Sequence, residues 1–168
     1  MPILKGQIRQ KTHRLPRDAY HGEVTVAFTV CVEKKRPLFI DTSVVDLFVR
    51  FLISAIKKND SMALIYCFMP EHVHLILQGT TFSANVWRAI VDFKQQSGFW
   101  LGEHRQMYRW QRGFFDHIIR QNEDLSAQIR YISQNPIRRG LVQAWDEYPY
   151  TGAHGIHLKD VINGVISL

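Results

Sequence analysis

Two β-rich runs, MALIYCFM and HVHLILQ, are separated only by Pro70-Glu71, so the middle of the chain reads as an antiparallel hairpin with a tight connection. What flanks the hairpin narrows the fold further. Upstream, EVTVAFTVCVE is rich in Val, Thr and Phe and alternates loosely, as a strand does, before the Lys34-Lys35-Arg36-Pro37 break. Between the two, Asp41, Thr42 and Ser43 offer N-caps to VVDLFVRFLISAIKK, in which Val44, Phe48, Leu52 and Ile56 recur at helical spacing. Downstream, Ser83 is expected to cap a second helix ending near Phe99. MYRWQRGFFDHIIR reads as a strand interrupted at Gly113, and NEDLSAQIRYISQN as a third helix stopped by Pro136. The order strand, helix, strand, strand, helix, strand, helix predicts an α+β fold, a ferredoxin-like (RRM-like) sandwich. Its antiparallel sheet carries helices on one face, and a further helix follows at the C-terminal end. Many unrelated activities use that fold, so the function has to come from particular residues.

The chain of 168 residues is long enough for one buried core, and no internal repeat or Gly/Ser linker divides it. The expected organisation is a basic N-terminal arm over 1–20, a main domain over 21–152 and a C-terminal tail over 153–168. Lys and Arg number 21 against 15 Asp and Glu, which favours an anionic partner, nucleic acid first. The excess is local: residues 1–20 hold five basic side chains against one acid, and residues 104–139 hold seven against three. Cys31 and Cys67 form no C-x-x-C, which excludes a zinc ribbon and a disulfide framework. Neither a signal-peptide core nor an apolar run of membrane-span length is present, so a soluble cytoplasmic protein with no membrane partner is expected.

Two places can carry chemistry. His72 and His74 alternate along a strand, so both imidazoles project from one face, with Cα atoms roughly 6.5 Å apart. Val73, Leu75 and Leu77 take the opposite, apolar face, leaving the histidines on a polar side with Gln78. Two such nitrogens can converge on one metal ion, and a third ligand is needed. On the third helix, Leu125, Ile129 and Ile132 form the buried stripe, while Gln128, Tyr131 and Asn135 share an adjacent face. The i,i+4 spacing of Tyr131 and Asn135 presents a phenol and an amide to one small region. Two exposed histidines and a packed tyrosine beside a capping asparagine would give the same pattern.

Together, FMPEHVHLIL, WQRGFFDHIIR and RYISQNPIRRGLV resemble, in that order and spacing, the His-hydrophobic-His tyrosine transposases of the IS200-like kind, especially the REP-associated tyrosine transposases. RLPRDAY and KKRPLF are similar to the same family, so the resemblance runs over roughly residues 14–152. It implies that His72 and His74 hold a divalent metal, Mg²⁺ or Mn²⁺, and that Tyr131 is the nucleophile. It also implies that an amide residue completes the metal site; Asn135 stands at that position, where insertion-sequence members tend to have Gln, and Gln134 is the neighbouring alternative. The implied activity is nicking and joining of single-stranded DNA at hairpin-containing sites through a 5′-phosphotyrosine, in a nucleoid-associated cytoplasmic enzyme. Arg9, Lys11, Arg14 and Arg17 of the arm, with Arg109, Arg112, Arg130, Arg138 and Arg139, are the expected DNA contacts. A monomer and a homodimer are both compatible with these motifs. Two other readings compete: a domesticated hairpin-binding protein that no longer cuts, and a zinc hydrolase using His72, His74 and His104 or His117, with Glu71 as the only adjacent acid.

Overall fold

The chain is described from a computed structural model that covers residues 14–164. Strand β1 (Thr25–Cys31) leads into helix α1 (Thr42–Lys58), whose first turn is capped by Asp41, the side chain accepting from the Ser43 N–H at 2.9 Å. Strands β2 (Ser61–Met69) and β3 (His72–Gly79) form the hairpin about Pro70-Glu71, followed by α2 (Val86–His104) and β4 (Phe115–Ile119). Helices α3 (Leu125–Ser133) and α4 (Asn135–Arg138), strand β5 (Thr151–His154) and helix α5 (Leu158–Ile162) complete the fold. The sheet order is β4-β1-β3-β2-β5, with every pairing antiparallel. The first four strands have the split βαβ arrangement that the order of elements predicts.

Alternation along the strands sends side chains into two cores. Val26, Phe28 and Val30 of β1 and Val73, Leu75 and Leu77 of β3 are buried under α1 and α2, against Phe48, Leu52, Ile90 and Phe93. The other face carries Ile65, Cys67 and Ile76, and these are buried under Ile129 and Ile132 of α3 and Leu158 and Val161 of α5. A register shift between Ala63 and Ile65 places Leu64 and Ile65 both in this second core. The two crossover helices therefore lie on one face and the C-terminal helices on the other.

Several local expectations are revised. Asn85 caps α2, its side chain accepting from the Arg88 N–H at 2.8 Å, while Ser83 Oγ lies 3.4 Å from Asp60 Oδ2. Only Phe115–Ile119 of the MYRWQRGFFDHIIR run is a strand, and residues 105–113 form a strap along the edge of β1. Pro136 does not end the helical region but sits in the first turn of α4, where a missing N–H costs nothing. Residues 153–164 are not a tail: His154 pairs with Ala63 in the sheet, and Leu158 and Val161 are core. The described part of the basic arm, residues 14–20, is packed on the body. Tyr20 is fully buried and donates to Asp116 Oδ2 at 2.5 Å, and Arg14 pairs with the same carboxylate at 3.2 Å.

Candidate metal and tyrosine site

His72 and His74 lie half-buried at the start of β3, on the face that carries the second core. That face is not polar throughout, because Ile76, two residues further on, is fully buried beneath it. The imidazoles stand edge to face at 86°, and their Nε2 atoms are 3.0 Å apart. Each Nδ1 has its own partner. His74 Nδ1 is 3.1 Å from the Thr29 hydroxyl across the β1–β3 pair, and His72 Nδ1 is 3.1 Å from Glu71 Oε1. Glu71 is in turn gripped by Arg139, Nη1 to Oε1 at 2.7 Å and Nη2 to Oε2 at 3.4 Å. The His72 hydrogen bond and, against the cost of burial, the Arg139 contact hold the Glu71 pKa down at about 2. An ionised carboxylate only accepts, so His72 Nδ1 is the donor in this pair. Burial, with the charges of His72 and Arg138, pushes the His74 pKa down to about 3, so the His74 ring is neutral.

This donor set fits a divalent ion. Two nitrogens about 2.1 Å from one ion and about 90° apart are separated by about 3 Å, which is the spacing seen here. The outer ring nitrogens are held by a carboxylate and a hydroxyl, the arrangement that orients metal-binding imidazoles.

The helices beside the pair come from the same chain. Tyr131 is half-buried in the last turn of α3, and the Arg138 guanidinium lies 3.8 Å from its ring centroid. Arg138 also donates to the Tyr131 carbonyl at 2.7 Å and to Asn135 Oδ1. Tyr131 and Asn135 are thus brought together, as their spacing predicts, with Arg138 between them. Asn135 Oδ1 faces that cation, and its Nδ2 is buried without a hydrogen-bond partner. Gln134 is exposed at the α3–α4 joint.

The expected DNA contacts separate into groups. Arg9 and Lys11 lie outside the described residues. Arg14 sits between the Trp87 and Phe114 rings, 4.7 and 4.6 Å from their centroids, and Arg17 is 3.9 Å from that of Trp87. Both pin the arm to the body. Arg109 and Arg112 are exposed on the strap, Arg130 is half-buried on α3, and Arg138 and Arg139 are exposed but engaged as described. His104 stacks on Trp100 at the end of α2, and His117 pairs with Glu123 at 2.8 Å, so neither joins His72 and His74. Among the described residues, no cluster of three or more His, Cys, Asp or Glu is placed to hold a metal, so the zinc-hydrolase reading lacks its third ligand. Thr29 and the Arg139–Glu71 pair did not emerge from the sequence. Thr29 requires the β1–β3 register, and Arg139 the path of α4.

Comparison with known proteins settles the kinship. The family described as IS200-like transposases matches residues 22–135. The chain belongs to that family. A REP-associated tyrosine transposase of Escherichia coli K12 is 28% identical over 142 residues, covering 82% of this chain and 79% of that protein. A Haemophilus influenzae protein provisionally named as the same kind of transposase is 33% identical over 99 residues, 52% of this chain. The chain spans 56% of the Haemophilus protein's length. Among solved structures, a REP-associated tyrosine transposase bound to a REP hairpin superposes with a TM-score of 0.73 at 22% identity, covering 94% of this chain and 88% of the other. The α+β fold is therefore that of the family.

Proposed function

We propose that this IS200-like transposase nicks and rejoins single-stranded DNA beside hairpins, using His72 and His74 to hold Mg²⁺ or Mn²⁺ and Tyr131 as nucleophile. The observation that carries the reading is the pair of facing Nε2 atoms 3.0 Å apart, on the same chain as the tyrosine helix whose following turn reaches Glu71. An ion bound there would supply charge to a non-bridging phosphate oxygen in the transition state. Tyr131 Oη attacks phosphorus, forming the phosphotyrosine bond as the bond to the 3′ oxygen breaks; the phenol loses its proton and the departing oxygen gains one. The products are a 5′-phosphotyrosine and a free 3′-hydroxyl, and attack by a 3′-hydroxyl reverses the step without an external energy source.

Arg138 is central to this reading. It is the cation against the Tyr131 ring and on Asn135 Oδ1, and a phosphodiester arriving beside Tyr131 competes for it. Its transfer to phosphate would free the Asn135 oxygen, which could then serve as the third ligand of a bound ion. Arg9, Lys11, Arg109, Arg112 and Arg130 contribute backbone charge. The hairpin partner is supported by the REP-hairpin complex of the structural relative. Residues 1–20 act as an arm on the catalytic domain, which works at the nucleoid in the cytoplasm as a monomer or homodimer. No helix among the described residues is long and apolar enough to cross a membrane.

The test is a denaturing gel with hairpin DNA labelled on the 3′ side of the cut. The wild type should carry a covalent adduct that needs Mg²⁺ or Mn²⁺, while Tyr131→Phe should bind the DNA yet give neither adduct nor cut. Cleavage by Tyr131→Phe at the wild-type rate would mean that water attacks and would overturn the mechanism. Binding without any adduct or cut by the wild type would favour the domesticated module.

A further inference from the structure

Away from His72 and His74, the strap over residues 105–113 and the outer face of α2 enclose an open groove of about 710 Å³ at the edge of the sheet. The volume is in the range of about 300–1,000 Å³ typical of small-molecule sites. Its wall is held from several sides. Glu33 N–H donates to the Arg109 carbonyl at 2.8 Å, Gln111 N–H to the Cys31 carbonyl at 2.8 Å, and Lys94 Nζ to the Gln111 and Gly113 carbonyls at 3.0 and 2.6 Å. Trp110 anchors the middle, its Nε1 donating to Ser97 Oγ at 2.9 Å and its ring packing 5.8 Å from that of Phe93. A groove fixed in this way needs little ordering when a ligand enters.

The floor is made by two glycines of α2, Gly98 and Gly102, one helical turn apart. Neither is required by backbone conformation. A Cβ on Gly98 would make ordinary contact with Trp110 at 3.6 Å, and one on Gly102 would meet nothing within 4 Å. Each glycine weakens a helix interior relative to alanine, so α2 carries a destabilisation that its own packing does not call for. What the glycines leave is open space over the floor.

Around that space stand Lys94, Arg109 and Arg112, with no carboxylate among the described residues that line it, the half-exposed rings of Tyr108 and Trp110, and the amides of Gln95 and Gln106. Cations suit a phosphate, rings suit the face of a base, and amides suit its edge. The groove lies on the α1/α2 side of the sheet and His72 and His74 on the other, and the wall meets the sheet edge between them: Gln111 lies beside Cys31, the cross-strand partner of His72. Two strand spacings put the Gln111 backbone about 10 Å from that of His72, so a single strand would pass round this edge.

We infer that this groove is a nucleotide subsite that takes an unpaired nucleotide of the single strand adjoining the hairpin, its phosphate on Arg109 and its base over the Gly98–Gly102 floor. The inference rests on the single-stranded DNA reading above, and Gly102→Leu separates the two. That substitution fills the floor without removing a cation or touching the histidines, and it replaces a glycine in a helix by a good helix former. Gly102→Leu should keep the wild-type melting temperature or exceed it, and should bind a hairpin without overhang as the wild type does. It should lose about tenfold in affinity for the same hairpin carrying a single-stranded extension. Arg109→Gln, which also removes backbone charge, should lose more affinity for the extended hairpin than for the bare one, with a shallower salt dependence. Equal binding of the extended hairpin by wild type and both variants, or no preference of the wild type for the extended over the bare hairpin, would overturn the subsite. So would a Gly102-sensitive affinity for free deoxynucleoside monophosphates with the extended hairpin unaffected, since the groove would then serve a free nucleotide. If the subsite is absent but Tyr131 still forms its adduct, the function stands and only the groove assignment fails.

Discussion

Replacing Glu71 by glutamine tests whether the chain of contacts from α4 to the metal pair controls the histidines. Among the described residues Glu71 is the carboxylate on His72, its side chain is 16% exposed, and one of its oxygens is shared between His72 Nδ1 at 3.1 Å and Arg139 Nη1 at 2.7 Å. Glutamine keeps the shape but removes the charge that accepts from His72 Nδ1, and its amide can present N–H to the ring. Losing an outer partner of a metal-bound imidazole typically weakens metal binding 10–100-fold. The position is partly solvated, so the low end, about tenfold or ~1.4 kcal/mol, is expected. Global stability should change much less. Arg139 is 49% exposed, and a pair of that exposure contributes under about 1 kcal/mol, or a few degrees in melting temperature for a domain of this size. Calorimetry with Mn²⁺ measures the first quantity and thermal melting the second. Arg139→Gln should produce a smaller loss in the same direction, and the double variant should lose less than the two single losses combined, because Arg139 acts through Glu71. Wild-type Mn²⁺ affinity in Glu71→Gln with an unchanged melting temperature would refute the orienting role. Additive losses in the double variant would break the link to α4.

Other consequences follow from the same contacts. Arg14→Gln removes the Arg14 ion pair from the buried Asp116 carboxylate and should lower stability by about 1–3 kcal/mol, read as a fall in melting temperature with little change in the salt dependence of hairpin binding. Neutralising Arg9 and Lys11 should do the reverse, flattening the salt dependence of binding in a titration while the melting temperature holds. Asp92 is buried, which alone would raise its pKa, but Asn59, Lys58 and Arg88 outweigh that and hold it below the ordinary carboxylate value. Its contribution is therefore full above the unfolded-state pKa of about 4 and is lost as pH falls through the lower folded-state pKa. Asp92→Asn should reduce the acid-side slope of stability in urea melts at pH 2–5, and an unchanged slope would remove Asp92 from the linkage.

The parts of the fold that repeat locally were legible. Helix α1 shows its stripe in Val44, Phe48, Leu52 and Ile56, and the α1/α2 side of the sheet shows in the Val73, Leu75, Leu77 alternation, because a period of 3.6 or 2 is written in consecutive residues. The second core was not legible in the same way. It joins Ile76 of β3 to Ile129 of α3 and Val161 of α5, and the C-terminal residues that cover it are too few in each element to show a period. The strap failed for a related reason: its rings and β-formers suggest a strand, but only Val32 and Trp110 form a bridge there. Tertiary contacts to α2 hold the rest of it.

At the candidate site the limit is sharper. His72 and His74 could be placed on one face from alternation alone, and Tyr131 with Asn135 on one helix face from spacing alone. Their relation to each other depends on facts that no short window contains. The β1–β3 register puts Thr29 opposite His74 rather than one residue away, where its hydroxyl would point to the other core. Pro136 starts α4 at the point where it was expected to stop α3, and that continuation carries Arg138 onto Tyr131 and Arg139 onto Glu71. Had the chain turned away at Pro136, both arginines would have been free cations on a surface loop, available for DNA backbone alone. Because the helical path continues, the basic run after the tyrosine is tied to the two groups that matter most, one arginine to the tyrosine and its amide, the other to the carboxylate behind His72. Arg138 and Arg139 are adjacent, so under the proposed function displacement of Arg138 by a phosphate would act one residue from the contact that holds the carboxylate beside His72.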